Sequence, residues 1–158
     1  MNRMLRDYID RYYMKLYKRS NMLKEKDNLL PKELALWKNK VLEHWKNIKV
    51  LEYDFPDVTR EEFVMGNTYT GKVLLDLDGL SSEEIGVEMV MTKSSEDGES
   101  QLFRGKVEFK CTRVDGSVAE YTFEQSVDET GVFEVGFRIF PKHENIPHRM
   151  DFPLVRWI

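Results

Sequence analysis

The apolar period of this 158-residue chain changes once, near Val50, from helical spacing to strict alternation, and that change limits the fold to helices followed by strands. From Asn2 to about Lys26, Leu5, Ile9, Tyr12 and Leu16 recur at helical spacing, with Met4, Tyr8, Tyr13 and Tyr17 widening the stripe. Asn28 to Pro31 breaks the pattern, and Pro31 suits an early position of a second helix, where a missing N–H costs little. That helix is expected to run to about Asn47, with Leu30, Leu34, Trp37, Val41, Trp45 and Ile48 along one apolar edge.

Beyond Val50 the odd positions carry the apolar residues. Tyr69, Val73, Leu75 and Leu77 form one run, and Ile85, Val87, Met89 and Met91 a second. Phe103, Val107, Phe109 and Cys111 form a third, with a charge on nearly every outward position between them. Asp115-Gly116 is a two-residue hairpin signal, because such turns require positive φ, and Tyr121 and Phe123 return beyond it. A turn at Asp128 to Gly131 leads into Phe133, Val135, Phe137 and Ile139. The expected fold class is α+β, two N-terminal helices followed by an antiparallel immunoglobulin-like β-sandwich. The expected division is a helical linker over 1–49 and a β-sandwich domain over 50–158. Ser94 to Ser100 reads as a polar loop and Asp54 to Asn67 as a longer connection.

Charge divides at the same place as period. Residues 1–50 hold 13 Lys and Arg against 6 Asp and Glu, a net +7, and the remainder hold 11 against 22, a net −11. The basic residues are dispersed around two helices without a Gly-rich or aromatic-interleaved tract, so no nucleic-acid partner is expected. No run approaches the ~18 apolar residues of a membrane span, and no signal segment opens the chain. One cysteine, Cys111, allows no internal disulfide and is expected as a buried thiol, which together with the missing signal suits the cytoplasm.

A search for chemistry returns no catalytic, cofactor-binding or metal-ligating residues. His44 stands at the border of the second helical stripe, and Pro147 between His143 and His148 argues against one helix presenting both to a metal. Glu61-Glu62, Glu83-Glu84 and Glu96-Asp97 lie in polar connections, where nothing desolvates a carboxyl enough to make it an acid at neutral pH. No nucleophile elbow or Gly-rich phosphate loop occurs.

Two surfaces are left as candidates. Phe140, Phe152 and Trp157 near the tail could stack on sugar rings, although Trp157 could equally plug a core. On the first helix, Leu5, Ile9, Tyr12 and Leu16 share a sector of about 60°, enough to pack on the second helix or the sandwich, while Tyr13 and Tyr17 lie further round. With off-stripe Leu36 they form a candidate contact face for something outside this chain.

Arg3-Met4-Leu5-Arg6-Asp7-Tyr8 with Tyr12-Tyr13 and Leu16 resembles the helix closing the catalytic region in the short bacterial and archaeal branch of the α-glucan phosphorylases. Glu33-Leu34-Ala35-Leu36-Trp37-Lys38, with Val41 and Trp45, resembles the helix that follows it. Gly131, the strand through Val135 and Arg138 to Pro141 and His143, and the closing Leu154-Val155-Arg156-Trp157 look like that family's C-terminal ending. Between Val50 and Ser126 only a strand pattern compares. The resemblance implies a parent glycosyltransferase that splits α-1,4-glucans with phosphate, releases glucose 1-phosphate and carries pyridoxal phosphate on a lysine. Neither the cofactor lysine motif nor the phosphate loop has a counterpart here, so the resemblance carries over no catalytic residue and implies no cofactor for this chain. It implies a non-catalytic C-terminal piece of a longer chain, whose partner is the parent's catalytic region. Self-association and binding of α-glucan, as by a carbohydrate-binding module, stay open alternatives.

Overall fold

The computed structural model describes residues 2–55, 66–95, 100–126 and 133–158, and divides into two compact units, Met1–Leu42 and Glu43–Ile158. The expected turn at Asp128 to Gly131 and the pairs Glu61-Glu62 and Glu96-Asp97 lie outside the described residues.

Helix α1 spans Asn2–Tyr8, a wider helical turn follows at Ile9–Tyr13, and helix α2 spans Met14–His44. Residues 25–28 inside α2 leave helical geometry: Glu25 has ψ 152°, and Lys26, Asp27 and Asn28 take φ of 48°, 57° and 57°, the left-handed region. Lys32 Nζ donates to Asp27 O at 3.1 Å just beyond the break, and Pro31 lies inside the resumed helix. The helix ends at His44 rather than Asn47, because the Asn47 N–H closes a turn on His44 O at 2.9 Å.

The apolar edge of α2 becomes buried toward its end, with Leu30 and Leu34 half-buried and Trp37, Val41 and Ile48 buried. The expected core stripe of the first helix is corrected: Leu5, Ile9, Tyr12 and Leu16 are exposed, as are Tyr13 and Tyr17. Periodicity reports which side of a helix is apolar, but not which molecule covers that side.

Eight strands are present among the described residues: β1 Lys49–Asp54, β2 Thr68–Asp76, β3 Ile85–Ser94, β4 Gln101–Glu108, β5 Lys110–Asp115, β6 Val118–Ser126, β7 Glu134–Pro141 and β8 Arg156–Trp157. They form two four-stranded sheets, ordered β1-β2-β6-β5 and β4-β3-β7-β8, with every neighbouring pair antiparallel. Gly116 takes φ +61° in the β5–β6 hairpin, as its Asp-Gly signal requires.

The odd-numbered face of each sheet supplies a shared interior. Val73, Leu75, Ala119, Tyr121 and Phe123 come from the first sheet, and Ile85, Val87, Met89 and Ile139 from the second. Rings join the two: Phe123 of β6 lies 6.3 Å from Phe137 of β7 and 4.7 Å from Phe109, and Phe55 stacks on Phe137 at 3.7 Å. The Tyr121 hydroxyl donates to Ser82 O at 3.0 Å, and burial pushes its pKa well above the ordinary range.

The third expected run is not one strand. The chain crosses between sheets at buried Phe109, whose N–H donates to Val87 O at 2.8 Å; β4 belongs to the second sheet and β5 to the first. Two placements in that run are corrected. Met91 pairs with Gly105 and Thr92 with Phe103, so Arg104 is an extra residue, and this bulge turns Phe103 outward with 62% exposure. Cys111 is exposed, because β5 is an edge strand with all six residues open to solvent.

Candidate functional site

Strand β3 is buried on both faces: every residue from Ile85 to Val90 is buried, the even positions included. The even positions lie on the outer face of the second sheet, where the C-terminal segment after β7 folds back over them. Glu88 is the centre of this arrangement. It faces Arg138 across the β3–β7 ladder and is 0% exposed, with its carboxylate accepting from Arg138 Nε at 2.7 Å and from Arg149 Nη1. Lys106 Nζ stands 3.6 Å from Oε2, an ion pair too long for a hydrogen bond.

Burial alone would raise the Glu88 pKa, but the hydrogen bonds and charges of Arg149 and Arg138 outweigh it and hold the carboxyl below its ordinary value. The Arg149 guanidinium also lies 3.6 Å from the centre of the Phe140 ring. Lys142 Nζ donates to Glu108 Oε1 at 2.6 Å beside it. Arg149 opens a single 3₁₀ turn, Arg149–Asp151, whose preceding His148 accepts the Met150 N–H at 3.1 Å on Nδ1. Chemically the cluster is a charge network centred on Glu88 Oε1, with the buried Oε2 left without a hydrogen bond. The two arginines keep Glu88 ionised, so it has no proton to give at neutral pH.

A second polar group lies at the start of the strand region. His44 Nδ1 and Asn47 Nδ2 meet Asp78 Oδ2 at 2.9 and 2.8 Å. Asp78 projects from the β2–β3 turn at φ +51°, and hydrogen bonds from Asn47 and His44 lower its pKa. Arg156 Nη2 donates to Ile48 O at 2.8 Å, which ties the closing residues to the same place. The half-buried His44 is thus an orienting partner of an aspartate. His143 Nδ1 accepts the Asn145 N–H at 3.1 Å in a loop. Among the described residues no three His, Cys, Asp or Glu side chains are placed to hold a metal ion. Of the carboxylate pairs, Glu84 caps a turn by accepting the Ser81 N–H at 2.7 Å. A groove of about 420 Å³ runs past Asp54, Lys72, Glu108, Lys110 and Glu124, with charges of both signs along it.

The structure does not bring the three tail aromatics together as one open platform. Phe140 is 4% exposed and its ring is capped by Arg149, so it has no free face for a sugar. Phe152 is half-buried at the end of the 3₁₀ turn. Trp157 is 57% exposed, with the Arg138 guanidinium 5.4 Å from its ring centre and Gly136 directly beneath. Tyr13, Tyr17 and Leu36 are all exposed, none of them in a core of this chain. Sequence reasoning missed Glu88, because an even-numbered Glu in an alternating strand reads as outward solvating charge. The one available signal was Arg138 at the matching outward position of β7.

Residues 45–158 match the family model of the glycogen phosphorylase C-terminal domain. A maltodextrin phosphorylase from Thermococcus litoralis is 25% identical over 160 residues, an alignment covering 99% of this chain and 18% of that relative. The chain therefore spans less than a fifth of the length of the curated relative it matches. With the family model covering both sheets and the closing segment, the chain belongs to the glycogen phosphorylase C-terminal domain family.

Proposed function

We propose that this chain is the non-catalytic accessory domain of an α-glucan phosphorylase, and that its N-terminal helix docks on the parent's catalytic region. The observation that carries this reading is the alignment itself, which takes in nearly all of this chain and less than a fifth of a maltodextrin phosphorylase. The exposed apolar residues of α1 and the turn after it, Leu5, Ile9, Tyr12 and Tyr13, with Tyr17 and Leu36 on α2, support a covering partner of that kind. Pyridoxal phosphate and the phosphorolysis of α-1,4-glucan then belong to the parent. The cytoplasm suits such a protein, and no described helix is long and apolar enough to cross a membrane.

The strand region is an immunoglobulin-like sandwich in this reading. Its support is the strand order: β1-β2-β6-β5 and β4-β3-β7-β8 reproduce the A-B-E-D and C′-C-F-G arrangement of such folds. In the same reading the helical region is two helices, which the non-helical geometry of residues 25–28 supports. The experiment is to incubate the purified chain with maltodextrin, inorganic phosphate and pyridoxal phosphate. The expected result is no glucose 1-phosphate and no cofactor absorbance retained through gel filtration. Formation of glucose 1-phosphate overturns the reading.

A further inference from the structure

Three glycines in the strands lie beneath aromatic rings. A Cβ on Gly71 would meet Phe123 at 2.4 Å, one on Gly86 would meet Phe140 at 2.2 Å, and one on Gly136 would meet Trp157 at 2.8 Å. A glycine inside a strand weakens it, and its use marks close approach of another group. In the first two pairs the ring is buried, so packing accounts for the glycine. In the third the indole also lies too near to admit a Cβ, at 2.8 Å, but stays more than half exposed.

Trp157 is also fixed from both sides along the chain. Arg156 before it is tied to Ile48 O, and the Ile158 N–H after it donates to Phe137 O at 2.9 Å. The ring is immobilised without being covered, which removes much of the ordering cost of binding a ligand on it. Phe103 is a second exposed ring on the same face. The bulge at Arg104 places it beside Thr92, whose other neighbour is Glu134, two residues from Gly136 on β7. The two rings stand on the opposite edge strands, β4 and β8, three strand spacings or about 14 Å apart across the sheet, and they are also offset along it, with Phe103 in the row of Glu134 and Trp157 in the row of Arg138, leaning back over Gly136. Between those rows lie Val90, Gly136 and Lys106, whose Nζ pairs with Glu88, while Thr92 and a Gln101 amide that donates to Glu134 Oε1 at 2.7 Å flank Phe103.

We propose that this outer face of the second sheet docks a run of α-1,4-linked glucose, with Trp157 and Phe103 as its two stacking rings. The choice of ligand rests on the accessory-domain reading above. A protein partner would call for continuous apolar area, whereas two separated rings, with hydroxyl, amide and carboxylate groups beside Phe103, match a ligand that alternates C–H faces with hydroxyls. The cations on this face near the indole, Arg138 and Lys106, are both paired with Glu88, Arg138 through Nε and Nη2, which favours an uncharged ligand over an anionic one. The spacing favours several linked units over a single glucose.

Calorimetric titration of the chain with maltoheptaose, with maltose and cellohexaose alongside, tests the proposal. Maltoheptaose is expected to bind at millimolar concentration and more tightly than either control. Trp157→Ala and Phe103→Ala should each weaken it about tenfold, the value of one stacked ring, and Trp157→Phe should restore part of the loss, with circular dichroism unchanged. Gly136→Ala, which displaces the indole without removing it, should weaken binding as well. Absence of heat with maltoheptaose, or binding that ignores both ring substitutions, overturns the proposal. So does self-association that Trp157→Ala abolishes while glucan gives no heat, since the face would then belong to a second copy. None of these failures touches the accessory-domain reading, which the glucose 1-phosphate assay tests separately.

Discussion

Gly86 and Phe140 face each other directly across β3 and β7, and the phenyl ring fills the space a side chain at position 86 would need. The ring cannot swing away freely, because the Arg149 guanidinium closes it from above. Gly86→Ala is therefore expected to destabilise the fold by about 1–3 kcal/mol, the usual cost of overpacking. Urea denaturation measures it. Combining Gly86→Ala with Phe140→Leu should cost less than the two separate losses added together, because the smaller side chain relieves the clash.

Glu88, itself fully buried, supplies the negative charge shared by Arg138 and Arg149. Glu88→Gln removes the charge, keeps the volume and leaves two guanidiniums facing a neutral amide. The expected loss is about 2–3 kcal/mol, below the full cost of breaking a buried pair because both arginines stay partly exposed. Arg149→Met should loosen the closing segment more than the sheet. Amide exchange would show this as faster exchange after Pro141, with protection in β3 and β7 retained.

Acid should unfold the protein through the same carboxylates. Glu88 and Asp78 both have folded pKa values lowered from their ordinary 4.5 and 3.8, so the unfolded chain takes up protons first as pH falls. Their stabilisation is present in full above those ordinary values and is lost as pH drops through the lowered folded ones. The thermal midpoint is expected to hold from neutral pH down to about the ordinary carboxylate range and then fall. In Glu88→Gln the acid decline should be shallower, with Asp78 still contributing. An unchanged slope would show that Glu88 is not the group titrating.

Much of the fold was legible because local rules and tertiary structure agree there. The switch of period at Val50, the α2 edge ending in Trp37 and Val41, the alternation in β2, β3, β6 and β7, and the Asp115-Gly116 turn all depend on neighbours a few residues away. The family resemblance was carried by residues at both ends of the chain, and the family match takes in the strand region between them. What sequence could not supply was anything set by pairing across the sheets. One extra residue, Arg104, inverts the facing of Phe103, since a shift of one position exchanges the two sides of a strand.

The crossing at Phe109 divides one apparent strand between two sheets, and it leaves Cys111 on an open edge. Alternation reports which side of a strand is apolar, but only the return of residues 142–158 makes the other side of β3 an interior as well. That return makes Glu88 a buried ion instead of a surface charge. It also buries Phe140 and leaves Trp157, seventeen residues later, as the exposed ring. By itself the sequence determined that helices precede strands and located β2, β3, β6 and β7, but not β1, β8 or the division between β4 and β5. The tertiary structure decided which faces meet, because burial depends on distant segments whose arrival no local spacing encodes.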